Sequence, residues 1–359
     1  MKIVIFGLSV SSSWGNGHAA LWRGLIRALL RDGHRVVFFE RDVPYYAANR
    51  DLHELPPGGD LVLYPDVDTA RPRMRQELAD ADVGMVTSYC PDGLAASDLV
   101  LGANLPVRCF YDLDTPVTLA RLEAGEKVGY IGDGGLGAFD LVLSYTGGGA
   151  LDALRTRLGA RRTAPIYGSV DPELHYPVAG RAEFTALLSY LGTYAADRQV
   201  ALERLFVEPA RRLPSKRFVI AGAQYPDGFP WTPNTFFVRH LPPPEHPAFY
   251  SSSRVTLNVT RDPMARMGWC PSGRLFEAAA CGVPILSDWF DGLDEFFAPE
   301  REIMVARNTD QAVSALALDD AALDAIARRA CERTLDEHTA GRRASQMVAA
   351  FETVASVAA

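Results

Sequence analysis

Short apolar runs separated by stretches of helical periodicity recur along the whole chain, and this alternation restricts the fold more than any other feature. Runs at 3–6, 36–39, 61–64, 83–87, 107–111 and 141–144 fill the first half. A second series at 187–191, 218–221, 235–238, 255–259, 284–287 and 303–305 fills the second. Such runs carry apolar residues on both faces, as strands of a parallel sheet covered by helices must. Leu21, Leu25, Ala28 and Leu29 recur at helical spacing after the first run, and Gly33 then supplies a stop. The pattern predicts parallel α/β layering, with two Rossmann-like sheets of about six strands each.

The segment 166–177, "IYGSVDPELHYP", breaks the pattern with turn residues and two prolines, and reads as a linker. The expected organisation is an N-terminal domain over 1–168, a linker over 169–185, a C-terminal domain over 186–339 and a closing helix over 340–359. In that helix Met347, Phe351 and Val354 recur at spacings of four and three, which makes one apolar stripe. Leaving the stripe in water would be costly, so residues from about 340 onward are expected to pack on the N-terminal domain.

With 359 residues the chain has room for two ordinary domains. A net charge of −8 argues against a nucleic-acid footprint. The five cysteines are scattered without a C-x-x-C, so neither a disulfide framework nor a zinc spacing is expected. The first residues enter a strand directly, and no apolar run approaches the roughly 20 residues of a membrane span. A cytoplasmic protein without a transmembrane segment is expected.

Most of the chemistry is expected around one segment, 271–286, "PSGRLFEAAACGVPIL". It reads as a polar loop, a short helix, a glycine stop and a buried strand. Ser272 is a plausible N-cap. The free backbone amides of the first turn, together with Arg274, can hold a diphosphate. Glu277, three residues after Arg274, shares its face of the first turn and suits two ribose hydroxyls. The same pattern also fits a packed turn bearing a surface ion pair.

The N-terminal loop contains Ser13, Trp14, Gly15, Asn16, Gly17 and His18. Gly15, Gly17 and Ala20 form G-x-G-x-x-A, and Glu40 ends the second strand, which mimics a dinucleotide fingerprint. The mimicry is poor, because the first strand ends at Gly7, eight residues before Gly15. His18 near a helix start suits general-base work or plain loop bonding. Asp112 and Asp114 close another buried strand, where ligand sites of open α/β sheets lie. Their D-x-D spacing allows acceptor contact, base work, a metal clamp or a structural turn.

Four segments in order, "YLGTYAADRQ" (190–199), "RFVIAGAQYP" (217–226), "VTLNVTRDPM" (255–264) and "SGRLFEAAACGVPILSD" (272–288), resemble the donor-binding half of GT-B glycosyltransferases. More narrowly, "SGRLFEAAACG" is similar to the branch related to the spore maturation protein CgeB. The resemblance implies a GT-B architecture, two Rossmann-like domains facing across a cleft, with the last helix crossing back to the first domain. It implies donor contacts from Gly192, Thr193, Tyr194, Arg198, His240, Arg261, Ser272, Gly273, Arg274 and Glu277. Ser13, Trp14 and Asn16 would lie on the acceptor side, and His18, Asp112 or Asp114 would be the base.

The implied reaction is glycosyl transfer from a nucleotide-diphosphate sugar to an acceptor nucleophile, usually a hydroxyl. No cofactor or metal is expected, since the arginines can neutralise the diphosphate and no metal cluster is visible in the C-terminal half. The acceptor could be a glycan, a small molecule, a lipid or a protein. A nucleotide-sugar epimerase or a non-catalytic nucleotide-sugar-binding module would fit the same resemblance. One position departs from many retaining relatives, whose acid eight residues before the ribose ligand is here Trp269. The stereochemical outcome therefore does not carry over.

Overall fold

The computed structural model describes residues 1–358 and resolves two compact units. One unit comprises Met1–Tyr167 together with the residues from Ala340 onward, and the other is Gly168–Thr339.

The first unit is built on a seven-stranded parallel sheet. Its strands are β1 (Lys2–Gly7), β2 (Arg35–Arg41), β3 (Gly59–Tyr64), β4 (Val83–Thr87), β5 (Val107–Asp112), β6 (Leu141–Ser144) and β7 (Thr163–Pro165). They are ordered β3-β2-β1-β4-β5-β6-β7. Side chains alternate across the sheet, as the two-residue period of a strand requires. Ile3, Ile5, Val36 and Phe38 enter one core, and Val4, Phe6, Val37 and Phe39 enter the other. Both faces are buried, which is why these strands read as unbroken apolar runs. β7 escapes a sequence reading because it is a three-residue edge strand ending in Pro165, where a missing N–H is tolerated.

The first core is completed by the C-terminal helix, Ala340–Ala358. Met347, Phe351 and Val354 are buried among Trp22, Leu25, Ile26 and Leu29 of the helix Gly17–Arg31. The expected stripe is thus the face that joins the N-terminal sheet layer. Trp22 anchors the same core, edge-on to Phe38 at 5.8 Å and to Tyr111 at 5.7 Å between ring centres.

The second unit carries a six-stranded parallel sheet, ordered β10-β9-β8-β11-β12-β13. These strands are β8 (Ala186–Leu191), β9 (Phe218–Gly222), β10 (Thr235–Arg239), β11 (Ser253–Asn258), β12 (Ile285–Ser287) and β13 (Met304–Val305). The helix Asp320–Glu337 closes the unit. Among the described residues no helix is long and apolar enough to cross a membrane.

Both strand orders reverse direction once, between β1 and β4 in the first sheet and between β8 and β11 in the second. Loops leaving the carboxyl ends of neighbouring strands diverge at such a reversal and open a crevice, the usual ligand position in an open α/β sheet.

Candidate active site

In the first unit the loop after β1 occupies the reversal point. Glu40, at the end of β2, is fully buried and holds this loop. Its carboxylate accepts hydrogen bonds from the Val10 and Ser11 amides at 2.7 and 2.9 Å, and from the Ser9 and Ser11 hydroxyls. A carboxylate so engaged is not free for a ribose, so the dinucleotide fingerprint has no counterpart in the structure. Asn16 caps the helix Gly17–Arg31, accepting the His18 amide at 3.1 Å. Its Nδ2 donates to the carbonyls of Ser9 and Ser12. The side chain of Asn16, expected on the acceptor side, is therefore spent inside the loop. Ser13 bonds through both its amide and its hydroxyl to Asp51, which also pairs with Arg23. Trp14 follows, its amide donating to the Ser12 hydroxyl at 3.3 Å.

The cap aims His18 toward the end of β5. Its Nε2 lies 3.5 Å from Asp114 Oδ2, and the ring stands 5.5 Å from that of Tyr89. Tyr89 follows β4 and holds a left-handed backbone at φ +63°. His18 Nδ1 is shielded from solvent and has no hydrogen-bond partner. Asp112 lies beneath this pair and is fully buried. Its Oδ1 accepts from the Asp114 amide at 3.0 Å and from the Thr118 hydroxyl at 3.1 Å, while Oδ2 is unpartnered. Burial pushes its carboxyl up to about 6, against the pull of those hydrogen bonds. Two residues read as alternative bases, His18 and Asp114, thus lie side by side, and Asp112 holds the Asp114 amide.

In the second unit the loop after β8 lies at the reversal point. Gly192 is required there by close approach, because a side chain would meet Tyr190 Oη at 2.8 Å and Arg274 Nη2 at 2.9 Å. Its carbonyl accepts from Tyr225 Oη at 3.1 Å. Arg198 reaches back to the Thr193 carbonyl at 3.1 Å, and its Nε is buried without a partner. Tyr194 turns the other way, packing on Tyr225 and Phe229.

Ser272 caps the helix Gly273–Ala280, accepting the Arg274 amide at 3.3 Å. Arg274 runs beneath the Gly192 loop. It donates to the Leu191 carbonyl and to Asn258 Oδ1, and its guanidinium lies 5.0 Å over the Tyr190 ring. Among the described residues neither Arg198 nor Arg274 has a carboxylate partner, in contrast to Arg261, which pairs with Asp197 at 2.9 Å. Two guanidiniums without a carboxylate in ion-pair distance, beside a glycine turn and a capped helix start, can together hold an anion. Gly273 lies one turn before Glu277 on that helix; a Cβ there would stand 3.7 Å from Glu277 Oε1. His240 follows β10 with φ +50°, and its amide donates to the Gly222 carbonyl at 2.8 Å. Trp269 is bound: Nε1 donates to Glu295 at 2.8 Å, and its ring fills the space that a side chain on Gly292 would need.

One group escaped the sequence reading, which expected no metal cluster in the C-terminal half. Donor atoms of His175, His246 and Glu277 all lie within 4.8 Å of one another. Burial pushes the His246 imidazole down to about 4. No spacing rule could have found the three, because they come from a linker turn, the start of a helix behind three prolines, and the helix Gly273–Ala280.

Residues 198–349 match the family model described as "Glycosyl transferase-like". No curated protein sequence matches the chain. Three solved structures are similar over nearly all of it. Sucrose-phosphate synthase from Thermosynechococcus elongatus superposes with a TM-score of 0.73 at 16% identity, covering 99% of this chain and 100% of that one. HepE from Anabaena, in complex with UDP and glucose, gives 0.70 at 13% identity, with 98% and 100% covered. An α-glucosyltransferase in complex with UDP-glucose and DNA containing an abasic site gives 0.70 at 12%, with 98% and 99% covered. The fold is GT-B. Within GT-B, the anion site described above stands on the C-terminal sheet, inside the stretch that the family model matches apart from the Gly192 turn.

Proposed function

We propose that this protein is a glycosyltransferase that moves a sugar from a nucleoside-diphosphate sugar to an acceptor nucleophile, a hydroxyl in the simplest case. The observation that carries the reading is the pair Arg198 and Arg274, which converge on the Gly192–Thr193 turn without carboxylate partners. A diphosphate would supply the missing negative charge. Ser272 and Gly273 would offer it the first-turn amides of their helix, and Glu277 would take the ribose hydroxyls. The match to a glycosyltransferase-like model supports this reading, as do relatives of the same fold whose structures hold UDP or UDP-glucose. UDP is accordingly the favoured nucleotide, and the "SGRLFEAAACG" run points to the CgeB-like branch.

In the first unit the pair His18–Asp114 would accept the acceptor's proton. Asp114 faces Nε2, so the neutral ring holding its proton there carries a lone pair on Nδ1. That nitrogen is buried and unsatisfied, a costly state that an acceptor hydroxyl donating to it would relieve. The departing diphosphate would be stabilised by the two arginines and the helix amides, so transfer would need no metal. The net charge of −8 favours a glycan, small molecule, lipid or protein over nucleic acid as acceptor, and a cytoplasmic location is proposed with it.

The test is a thermal-shift panel of nucleoside diphosphates in EDTA. A ligand at 100 times its dissociation constant adds roughly 2.7 kcal/mol. UDP is expected to give the largest shift, reduced in Arg198→Ala. No shift with any nucleotide would overturn the donor assignment.

A further inference from the structure

We infer that His175, His246 and Glu277 form a binding site for a divalent transition ion of the zinc class, and that ion and nucleotide compete for Glu277. The ion site itself stands on the three side chains alone; the competition rests on the donor reading above.

The ligand set is two imidazoles and one carboxylate, a combination that holds zinc with a fourth position open. The three donor atoms lie within 4.8 Å of one another with no ion present. Zinc bonds of about 2.0–2.1 Å would draw them to roughly 3.4 Å apart, a contraction that small side-chain rotations supply.

Each ligand is positioned by its own segment. His175 ends a turn closed by the amides of Leu174 and His175 on the Asp171 carbonyl, at 3.0 and 2.9 Å. His246 begins the helix His246–Ser251 after Pro242–Pro244, and Pro247 follows it. Glu277 sits on the helix Gly273–Ala280.

Two further observations point to a ligand. Both ring nitrogens of His175 are shielded from solvent and have no hydrogen-bond partner. Buried polar atoms are rarely left so, and an ion would satisfy one of them. His246 Nε2 lies 3.3 Å from the Leu241 carbonyl, which can only accept, so the proton is on Nε2 and Nδ1 keeps the lone pair. A backbone carbonyl that fixes the ring of a metal-bound histidine is the usual supporting contact. Glu277 has no ion pair among the described residues, and the Arg274 charge acts on it only from beyond ion-pair distance.

The consequence is a switch at the donor site. An ion bound to Glu277 withdraws charge and lone pairs that the two ribose hydroxyls would use, so zinc should weaken nucleotide binding and inhibit transfer, while chelation restores both.

The test uses the full chain, stripped with EDTA and then freed of chelator. Titration with Co2+ alone should produce the visible bands of a low-coordinate ion, and Zn2+ alone should displace it. Loss of a ligand should weaken binding by more than the roughly 10–100-fold that loss of a supporting contact costs. The bands should therefore vanish in His175→Ala and in His246→Gln, with circular dichroism verifying that each variant is folded. In EDTA, His175→Ala should bind UDP as the wild type does, whereas Glu277→Ala should lose affinity for both ion and nucleotide. Absent cobalt bands in the wild type, or bands that survive both histidine variants, would overturn the site. Ion binding with UDP affinity unaffected by Zn2+ would overturn the competition. Ion binding by a chain that binds no nucleotide would sink the donor reading and leave the ion site standing.

Discussion

His18 Nε2 lies 3.5 Å from Asp114 Oδ2, joining the start of the first long helix to the residue two positions past the end of β5. In the proposed reaction Asp114 would fix one tautomer and one ring orientation of His18, the task an acid performs for a histidine in proton transfer. His18→Ala should therefore lower kcat about 10²–10⁴-fold with the KM for the donor little changed. Asp114→Asn should lower kcat less and shift the acid limb of the kcat–pH profile. Initial rates at saturating donor, alongside melting curves, check both. A donor KM that rises as much as kcat falls would move His18 out of proton transfer.

Glu277 stands on the same helix as Arg274, one turn from the capped N-terminus. Removing hydrogen bonds to a charged acceptor costs roughly 1.5–3 kcal/mol. Glu277→Ala should thus weaken UDP binding about ten- to hundredfold in EDTA, with thermal stability retained. Calorimetric titration gives the affinity directly, and an unchanged value would remove Glu277 from the site.

Arg198 and Arg274 should not behave alike. Arg274 also ties the Leu191 carbonyl to Asn258, so Arg274→Ala should lower both stability and nucleotide affinity. Arg198 holds only the Thr193 carbonyl, so Arg198→Ala should act mainly on affinity. Transfer by the wild type should continue in excess EDTA, since both arginines are available for the diphosphate. Complete loss, restored by magnesium or manganese, would shift the mechanism onto a metal and bring Asp112 and Asp114 forward as its ligands.

The internal strands were legible because both their faces are buried, which turns each into a continuous apolar run, whereas the edge strand β10 was legible only because its exposed Phe236 and Phe237 are apolar as well. β7 was not, since three edge residues ending in Pro165 carry no such run. The parts of the proposed anion site were legible because each is local: a glycine turn, an arginine one turn later, and a capped helix carrying arginine and glutamate. The ion site was not. His175 and His246 are far apart in sequence, and only the packing of their two loops against the donor helix brings them together. Glu40 shows the opposite failure. Its spacing imitates a ribose-binding acid, but four hydrogen bonds turn its carboxylate inward onto the loop at 9–11. Spacing along a strand does not determine which way a carboxylate at its end will turn.

Asp112 should make stability depend on pH. Its folded carboxyl titrates near 6, above the ordinary 3.8, because it is fully buried. Between about 4 and 6 the folded protein therefore holds this proton more tightly than the unfolded chain. Stability from Asp112 is fully present below pH about 4 and is lost as the pH rises through about 6. Two pH units correspond to roughly 3 kcal/mol. Asp112→Asn keeps an acceptor for the Asp114 amide and the Thr118 hydroxyl and removes the buried charge. It should be more stable than the wild type at pH 8, by up to about 3 kcal/mol, with the gap closing towards pH 4. Denaturant unfolding of both proteins across pH 4–8 checks this, and a gap that does not vary with pH would refute it.

The last helix offers the sharpest test of how the first unit is completed. Phe351 is fully buried, with Met347 and Val354 beside it, in the core that holds Trp22, Leu25 and Leu29. Its apolar stripe covers the helix Gly17–Arg31, whose own start carries His18. Phe351→Ala removes a ring from a closed core and leaves a cavity, at a cost of about 3–5 kcal/mol. The loss should appear as a lower midpoint of denaturant unfolding with the slope unchanged. Truncation after Thr339 should do more, since it exposes the whole stripe, at about 25 cal/mol per Å² of apolar surface. The truncated chain should lose the fold of the N-terminal unit, while residues 168–339 retain their own core and still bind UDP. A truncated protein with full stability and turnover would show that the helix is not needed to complete the first core.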